Sequence, residues 1–221
     1  MCGKFTQMAS WEEVVAFSQP LVAIPEGQAV TVSTPMRTAK VLRLGEAGRR
    51  EVVPMRWGFS KPENVAFKAD HMHARAETID ARPTFAESFA ERRGIVLVAS
   101  FNEGEAQPGG KTKQWVIRPK DRKPIVIAVI WEEWVGDQGS ERTFVMATTP
   151  PNPLIARITD RMPAVLRPED WAPWLGETDA PLKDVKALLR MFDDEGAWEM
   201  SEQASSKSSK PASKKPQMDL F

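Results

Sequence analysis

The chain has 221 residues, 42% of them hydrophobic and 27% charged, with thirty Lys and Arg against thirty Asp and Glu. That length supports one globular domain with a buried core plus an appendage, and zero net charge excludes a strongly basic nucleic-acid coat while leaving room for a local basic groove. One cysteine, Cys2, excludes an intramolecular disulfide and a thiolate zinc cluster, and two histidines, His71 and His73, argue against an all-protein metal site, so neither metal nor cofactor is expected.

Residues 1–20 lack a basic start followed by an apolar stretch, so no signal peptide is read there. The Ser10-Trp11-Glu12-Glu13 capping box opens a short helix that ends before Pro20. Strands follow at 39–44 and 51–57, the first of a set rich as a whole in Val, Ile, Phe and Trp. Thr84-Phe85-Ala86-Glu87 is a second capping box, with Arg92, Arg93 and Gly94 as the stop signal. Further strands are predicted at 95–101, 114–118, 124–131 and 143–148. The longest apolar run, Ile125 to Trp131, is far too short to cross a bilayer. A third helix is predicted over 181–192, with Leu182, Val185, Leu188, Leu189 and Phe192 on one face. The pairs Trp131/Trp134 and Trp171/Trp174 read as packing residues. Strands do not alternate with helices, which disfavours a parallel doubly wound sheet. The expected fold class is α+β: one domain over 1–200, with a curved, mostly antiparallel, barrel-like sheet flanked by helices.

Composition changes at residue 201. Residues 201–216 hold six Ser and four Lys and nothing able to build a core, so a disordered linker is expected. Gln217-Met218-Asp219-Leu220-Phe221 then turns apolar again. Residues 201–221 carry four Lys against Glu202 and Asp219, a net of +2, which leaves the body at −2.

Cys2 has the most distinctive chemistry. Removal of Met1, favoured by a small second side chain, leaves an amine and a thiol on one residue, with pKa values of about 7.7–8.0 and about 8.5. A 1,2-aminothiol condenses with an aldehyde to an imine, which the thiol closes to a five-membered thiazolidine. A plain buried cysteine is the alternative reading.

Met1-Cys2-Gly3-Lys4-Phe5 resembles the start of the SRAP family, the SOS-response-associated peptidases or abasic-site processing proteins. Further segments are similar in family order: Ser33-Thr34-Pro35, Arg56-Trp57-Gly58-Phe59, His73-Ala74-Arg75-Ala76-Glu77-Thr78, Arg93-Gly94-Ile95 through Phe101-Asn102-Glu103, and Thr159-Asp160-Arg161-Met162-Pro163. Each is weak alone, but together they span about residues 1–175 in the right order. The resemblance implies a single α+β domain that binds single-stranded DNA and forms a thiazolidine between Cys2 and the ring-opened sugar of an abasic site. It also implies peptidase-like processing of its own N-terminus, in the DNA damage response.

By motif, Cys2 is the nucleophile and Glu103 the acid/base, with Glu105 as its rival. Lys4, Arg75 and Arg161 face phosphates, Trp57 stacks on a base, and Thr34, Pro35, Gly58, Glu77, Met162 and Pro163 complete the DNA-binding set. The family Asn is His73 here and the family His is Thr159, which has no proton to exchange near neutrality. Either His73 takes over that role, or covalent chemistry is lost and a DNA-binding accessory factor remains.

Gln217, Met218, Asp219, Leu220 and Phe221 are similar to the pentapeptide of bacterial sliding-clamp partners, with Leu-Phe as two apolar anchors. A sixteen-residue flexible linker spans about 20–24 Å. The expected partners are single-stranded DNA with abasic sites and a bacterial sliding clamp. A cytoplasmic, nucleoid-associated monomer that does not engage membranes is the expected setting.

Overall fold

The computed structural model describes residues 3–7, 32–59, 71–136 and 139–203. The helix expected near residues 10–19, residues 204–216 of the expected 201–216 linker and the 217–221 pentapeptide lie outside them, whereas Ser201 and Glu202, placed in that linker, are the end of a strand paired with Val116 and Trp115. In chain order the elements are β1 (Lys4–Gln7), β2 (Val32–Ser33), β3 (Thr38–Leu44), β4 (Arg50–Trp57), β5 (His73–Arg75), α1 (Pro83–Glu91), β6 (Arg93–Ala106), β7 (Thr112–Pro119), β8 (Ile125–Gly136), β9 (Gly139–Thr149), β10 (Met162–Pro163), α2 (Trp171–Leu175), α3 (Leu182–Ala187) and β11 (Trp198–Glu202). No helix of the described residues is long and apolar enough to cross a membrane.

Five strands close on themselves. β3 pairs with β4 and β6, β6 with β8, β8 with β9, and β9 returns to β4. Among the described residues only the β4–β9 and β5–β9 contacts are parallel, and each is two or three residue pairs long. The mixed α+β class with a large, curved, mostly antiparallel sheet is therefore the observed one.

Successive side chains point to opposite faces of a strand, and both faces are buried here. Val96, Val98, Ile127, Val129, Phe144 and Met146 pack in one cluster with Phe5, Trp57 and Phe101. Ile95, Leu97, Val126, Ala128, Ile130 and Val145 pack in the other, beneath Phe85 and Phe89 of α1, Trp174 of α2 and Val185 of α3. Burial on both sides is why 125–131 reads as an unbroken apolar run.

β6 organises the functional end. Its first half lies between β3 and β8, its second half between β1 and β7. The β1 register slips between Thr6 and Gln7, which pair with Ser100 and Val98 and leave Ala99 exposed as a bulge.

Two helix expectations need correction. α1 starts at Pro83 with Arg82 as its N-cap and no side-chain cap bond, so the Thr84 capping box does not form. Proline's fixed φ suits the first helical position, and Pro83 takes it. The stop signal does operate: Arg93 donates to the carbonyls of Phe89 (2.7 Å) and Ala90 (2.5 Å), two acceptors the helix itself leaves open. α3 ends at Ala187 rather than 192. Val185 and Leu189 are buried, Leu182 is 45% exposed, and Phe192 instead stacks on Trp198 with ring centroids 4.7 Å apart.

Candidate catalytic centre and nucleic-acid face

The start of the chain is held at one end of the barrel. Lys4 lies opposite Asn102 and Phe5 opposite Phe101. Phe5 packs its ring 5.0 Å from Trp57, and Trp57 meets His73 edge-on at 5.9 Å. Two-residue alternation puts Glu103 on the same face of β6 as Phe101. Glu103 is 1% exposed and both its carboxylate oxygens are sealed from solvent. The sequence left Glu105 as a rival, but the Glu105 carboxylate accepts the Trp115 indole N–H at 2.8 Å and is only half-buried. Glu103 is therefore a buried carboxyl on the strand that pairs with β1, and Phe101-Asn102-Glu103 is strand and not a solvated turn.

β5 borders a cavity. It runs parallel to β9, with His73 beside Met146 and Arg75 beside Thr148. His73 and Arg75, two apart on the strand, share one side of it, and a bend at Met72 brings His71 to the same cavity. The three border this cavity, of about 520 Å3, together with Met72, Arg82 and Thr148. His71 packs edge-on against Phe85 at 5.4 Å. His71 and Arg82 were not singled out from the sequence. The polar–apolar alternation of His71-Met72-His73-Ala74-Arg75 carried the signal for His71, whereas Arg82 is brought there only by the turn before α1.

The Thr34–Pro35 turn is tied to the same end. Arg37 N–H donates to Thr34 O (3.0 Å), Met36 N–H to Trp57 O (2.8 Å) and Trp57 N–H to Arg37 O (3.0 Å). Met36 sits at φ 67°, unusual for a non-glycine residue. Arg56 braces it, reaching the Met36 sulfur at 3.2 Å while making a bidentate pair with Glu141 at 2.6 and 3.0 Å. Gly58 has φ 116°, and its N–H donates to Phe144 O at 2.7 Å as the chain leaves β4. That backbone conformation explains the glycine after Arg56-Trp57. Thr34, Pro35 and Lys4 are half-buried and Arg75 is exposed.

Several expected DNA contacts are corrected. Trp57 is fully buried and its indole N–H donates to Met72 O at 3.1 Å, so it is a core ring and not a base platform. Gly58, Met162 and Pro163 are buried too. Arg161 is 8% exposed, and its guanidinium grips the Glu77 carboxylate at 2.6 and 2.9 Å and Thr148 O at 2.7 Å. Neither Arg161 nor Glu77 is displayed for a phosphate in this arrangement. The Arg161 guanidinium holds the Glu77 carboxyl below its ordinary range. Thr159 is half-buried after a 3₁₀ turn, its N–H on Ile155 O at 3.1 Å. Cys2 and the 217–221 pentapeptide lie outside the described residues. Among the described residues no group of His, Cys, Asp and Glu is arranged to hold a metal ion.

Fold and site thus define a small α+β barrel protein with a buried carboxyl on the strand that pairs with β1, and a cavity bordered by His71, His73, Arg75 and Arg82 on the β5 side. Residues 1–206 match the family described as SOS response associated peptidase (SRAP), and the chain belongs to that family. It is 26% identical over 211 residues to the abasic site processing protein YoqW of Bacillus subtilis, covering 91% of this chain and 92% of that one. It is 22% identical over 173 residues to the abasic site processing protein HMCES of Gallus gallus, covering 66% of this chain and 51% of that one. Its fold is shared by a solved Bordetella bronchiseptica protein (TM-score 0.76, 20% identity, 91% and 99% coverage) and by one from Bacteroides thetaiotaomicron (TM-score 0.74, 22% identity, 91% of each chain).

Proposed function

We propose that this chain recognises abasic sites in single-stranded DNA and captures them covalently through Cys2 once Met1 is gone. The observation that carries this reading is the burial of Glu103 beside β1. Two peptide units separate Cys2 from Lys4, a reach of about 7 Å at most, and Lys4 lies opposite Asn102, next to Glu103.

The chemistry balances without a cofactor. The Cys2 amine adds to the C1′ aldehyde of the ring-opened sugar and water leaves to give an imine. The thiol sulfur adds to the imine carbon and its proton passes to nitrogen, closing the thiazolidine with one water lost overall. Glu103 gives a proton to the opening sugar or departing hydroxyl and takes one back. His73 supplies the second proton-exchanging group where Thr159 has none. Lys4, Arg75 and Arg82 hold phosphates, with Thr34 and Pro35 flanking the strand. The 217–221 pentapeptide recruits the domain to a bacterial sliding clamp in the cytoplasm.

The test is incubation with uracil-glycosylase-treated single-stranded DNA, followed by a denaturing gel and intact mass. A heat-stable adduct one water lighter than the sum is expected. It vanishes in Cys2→Ala and forms about a hundredfold more slowly in Glu103→Gln. A mature chain that keeps Met1, or an equal adduct from Cys2→Ala, overturns the reading. Thr159 favours one second reading: an accessory factor that only binds. That factor shows salt-sensitive DNA affinity and no adduct.

A further inference from the structure

Among the described residues the cavity beside β5 has no carboxylate on its border. The charged and titratable side chains there are His71, His73, Arg75 and Arg82, with the hydroxyls of Thr78 and Thr148 alongside. We infer that His71 is a phosphate ligand of this cavity and that its protonation sets how tightly the strand is held. This inference rests on the reading that the β5 face binds single-stranded DNA. It adds a contact two residues ahead of the His73-Ala74-Arg75 segment that carries the family resemblance.

His71 is held on two sides. Its carbonyl accepts the Phe59 N–H at 2.8 Å, and its own N–H donates to Phe59 O at 3.3 Å. Its ring meets Phe85 of α1 edge-on at 5.4 Å, and Phe85 is fully buried. The imidazole is thus placed before a strand arrives, so little side-chain freedom is lost on binding. It is half-buried at the cavity border and not enclosed. The groups that face it come from each neighbouring element. β5 brings His73 and Arg75, the turn before α1 brings Arg82, β9 brings Thr148, and α1 brings the uncharged Phe85. The acidic residues of the turn after β5 are engaged elsewhere: Glu77 accepts from Arg161 at 2.6 Å and Asp80 from Lys186 at 2.5 Å. An anion entering the cavity therefore meets cations, imidazoles and hydroxyls.

The sign of the pH effect follows. Imidazole is the side chain that ordinarily changes charge between about pH 5 and 8. Neutral, it offers one N–H; protonated, it offers two and a positive charge. A phosphate favours the protonated form, so by linkage DNA binding takes up a proton and strengthens as pH falls. Arg75 and Arg82 stay charged throughout and supply the part that does not vary. A histidine that only packs on Phe85 gives no such response.

Affinity for a fluorescent, undamaged single-stranded oligonucleotide is measured with the full chain at about pH 6 and about pH 8 over a range of salt. Undamaged DNA keeps the Cys2 chemistry out of the readout. The N-terminal amine titrates in the same window, so wild type is compared with His71→Gln and His71→Lys. Wild type is expected to bind about fivefold tighter at the lower pH. Its slope of log affinity against log salt is expected to steepen there by about 0.7, one more phosphate contact on a single strand. His71→Gln is expected to lose most of that gain and the added slope, and to match wild type at the higher pH. His71→Lys, charged at both, is expected to bind at the higher pH as wild type does at the lower. Melting curves identify a variant that fails to fold, and the other then decides. A wild type without the gain, a gain unchanged in His71→Gln, or no tightening in folded His71→Lys overturns the inference while the DNA-binding reading stands. Absence of wild-type binding at both pH values overturns that reading itself.

Discussion

Trp57 is the residue at which sequence and structure part most sharply. Its place in Arg-Trp-Gly-Phe suggests a ring offered to a base, yet the indole is enclosed between Phe5, His73 and Phe144. Its loss therefore registers as instability. Trp57→Ala is expected to cost about 3–5 kcal/mol of folding free energy, read by chemical denaturation. A variant that keeps wild-type stability and loses only DNA affinity would restore the platform role. Glu103, by contrast, was singled out by motif with Glu105 as its rival, and the burial that sets the two apart was not legible. Burial depends on β1 and β7 flanking β6, and no local pattern in Asn-Glu-Gly-Glu encodes that. The Glu77 carboxyl carries a pH signature. Its folded pKa is depressed, so its contribution is complete above the unfolded value of about 4.3 and is lost as pH falls through the folded one. The melting-temperature gap between wild type and Glu77→Gln is expected to be widest near neutrality and to close below about pH 4; a gap constant across that range contradicts the pairing.

At the level of elements, long apolar strands were readable and short ones were not. The strands predicted near 39–44, 51–57, 114–118 and 143–148 appear with extensions at their ends, because each carries Val among other apolar or aromatic residues. β1, β2, β5, β10 and β11 have two to five residues each and too little length for periodicity to register. They are assembled by pairing with strands distant in sequence, and three of them build or brace the candidate site. Gly94 shows the converse, a local residue explained only by the sheet. Read as a helix stop, it sits within β6, where an added Cβ meets the Val41 side chain at 2.8 Å and Leu42 O at 3.0 Å. Gly94→Ala is expected to destabilise by about 1–3 kcal/mol, and an unchanged melting temperature would show that the β3–β6 contact can spread.

For the molecule as a whole, the body and the C-terminal pentapeptide divide the proposed work. The body supplies the chemistry, and residues 217–221 supply an address. Truncation after residue 216 is expected to leave adduct formation on free oligonucleotide unchanged within twofold and to abolish retention on immobilised sliding clamp. Equal retention of both chains removes the clamp from the account. The net charge of zero also has a molecular meaning on the proposed reading, in which Arg75 and Arg82 beside the cavity hold phosphates locally, without a general basic coat.

β1 draws its neighbours from far along the chain: Phe5 pairs with Phe101, and the β6 segment that receives it reaches Ala106. During synthesis β1 can meet β2 early, through Phe5 and Ser33, but its β6 partner is not made until the ribosome has released roughly half of the polypeptide. On the proposed reading, an aminopeptidase acting on the emerging chain works before β1 is seated against β6, so order of manufacture, rather than a separate gate, sets when Met1 is lost.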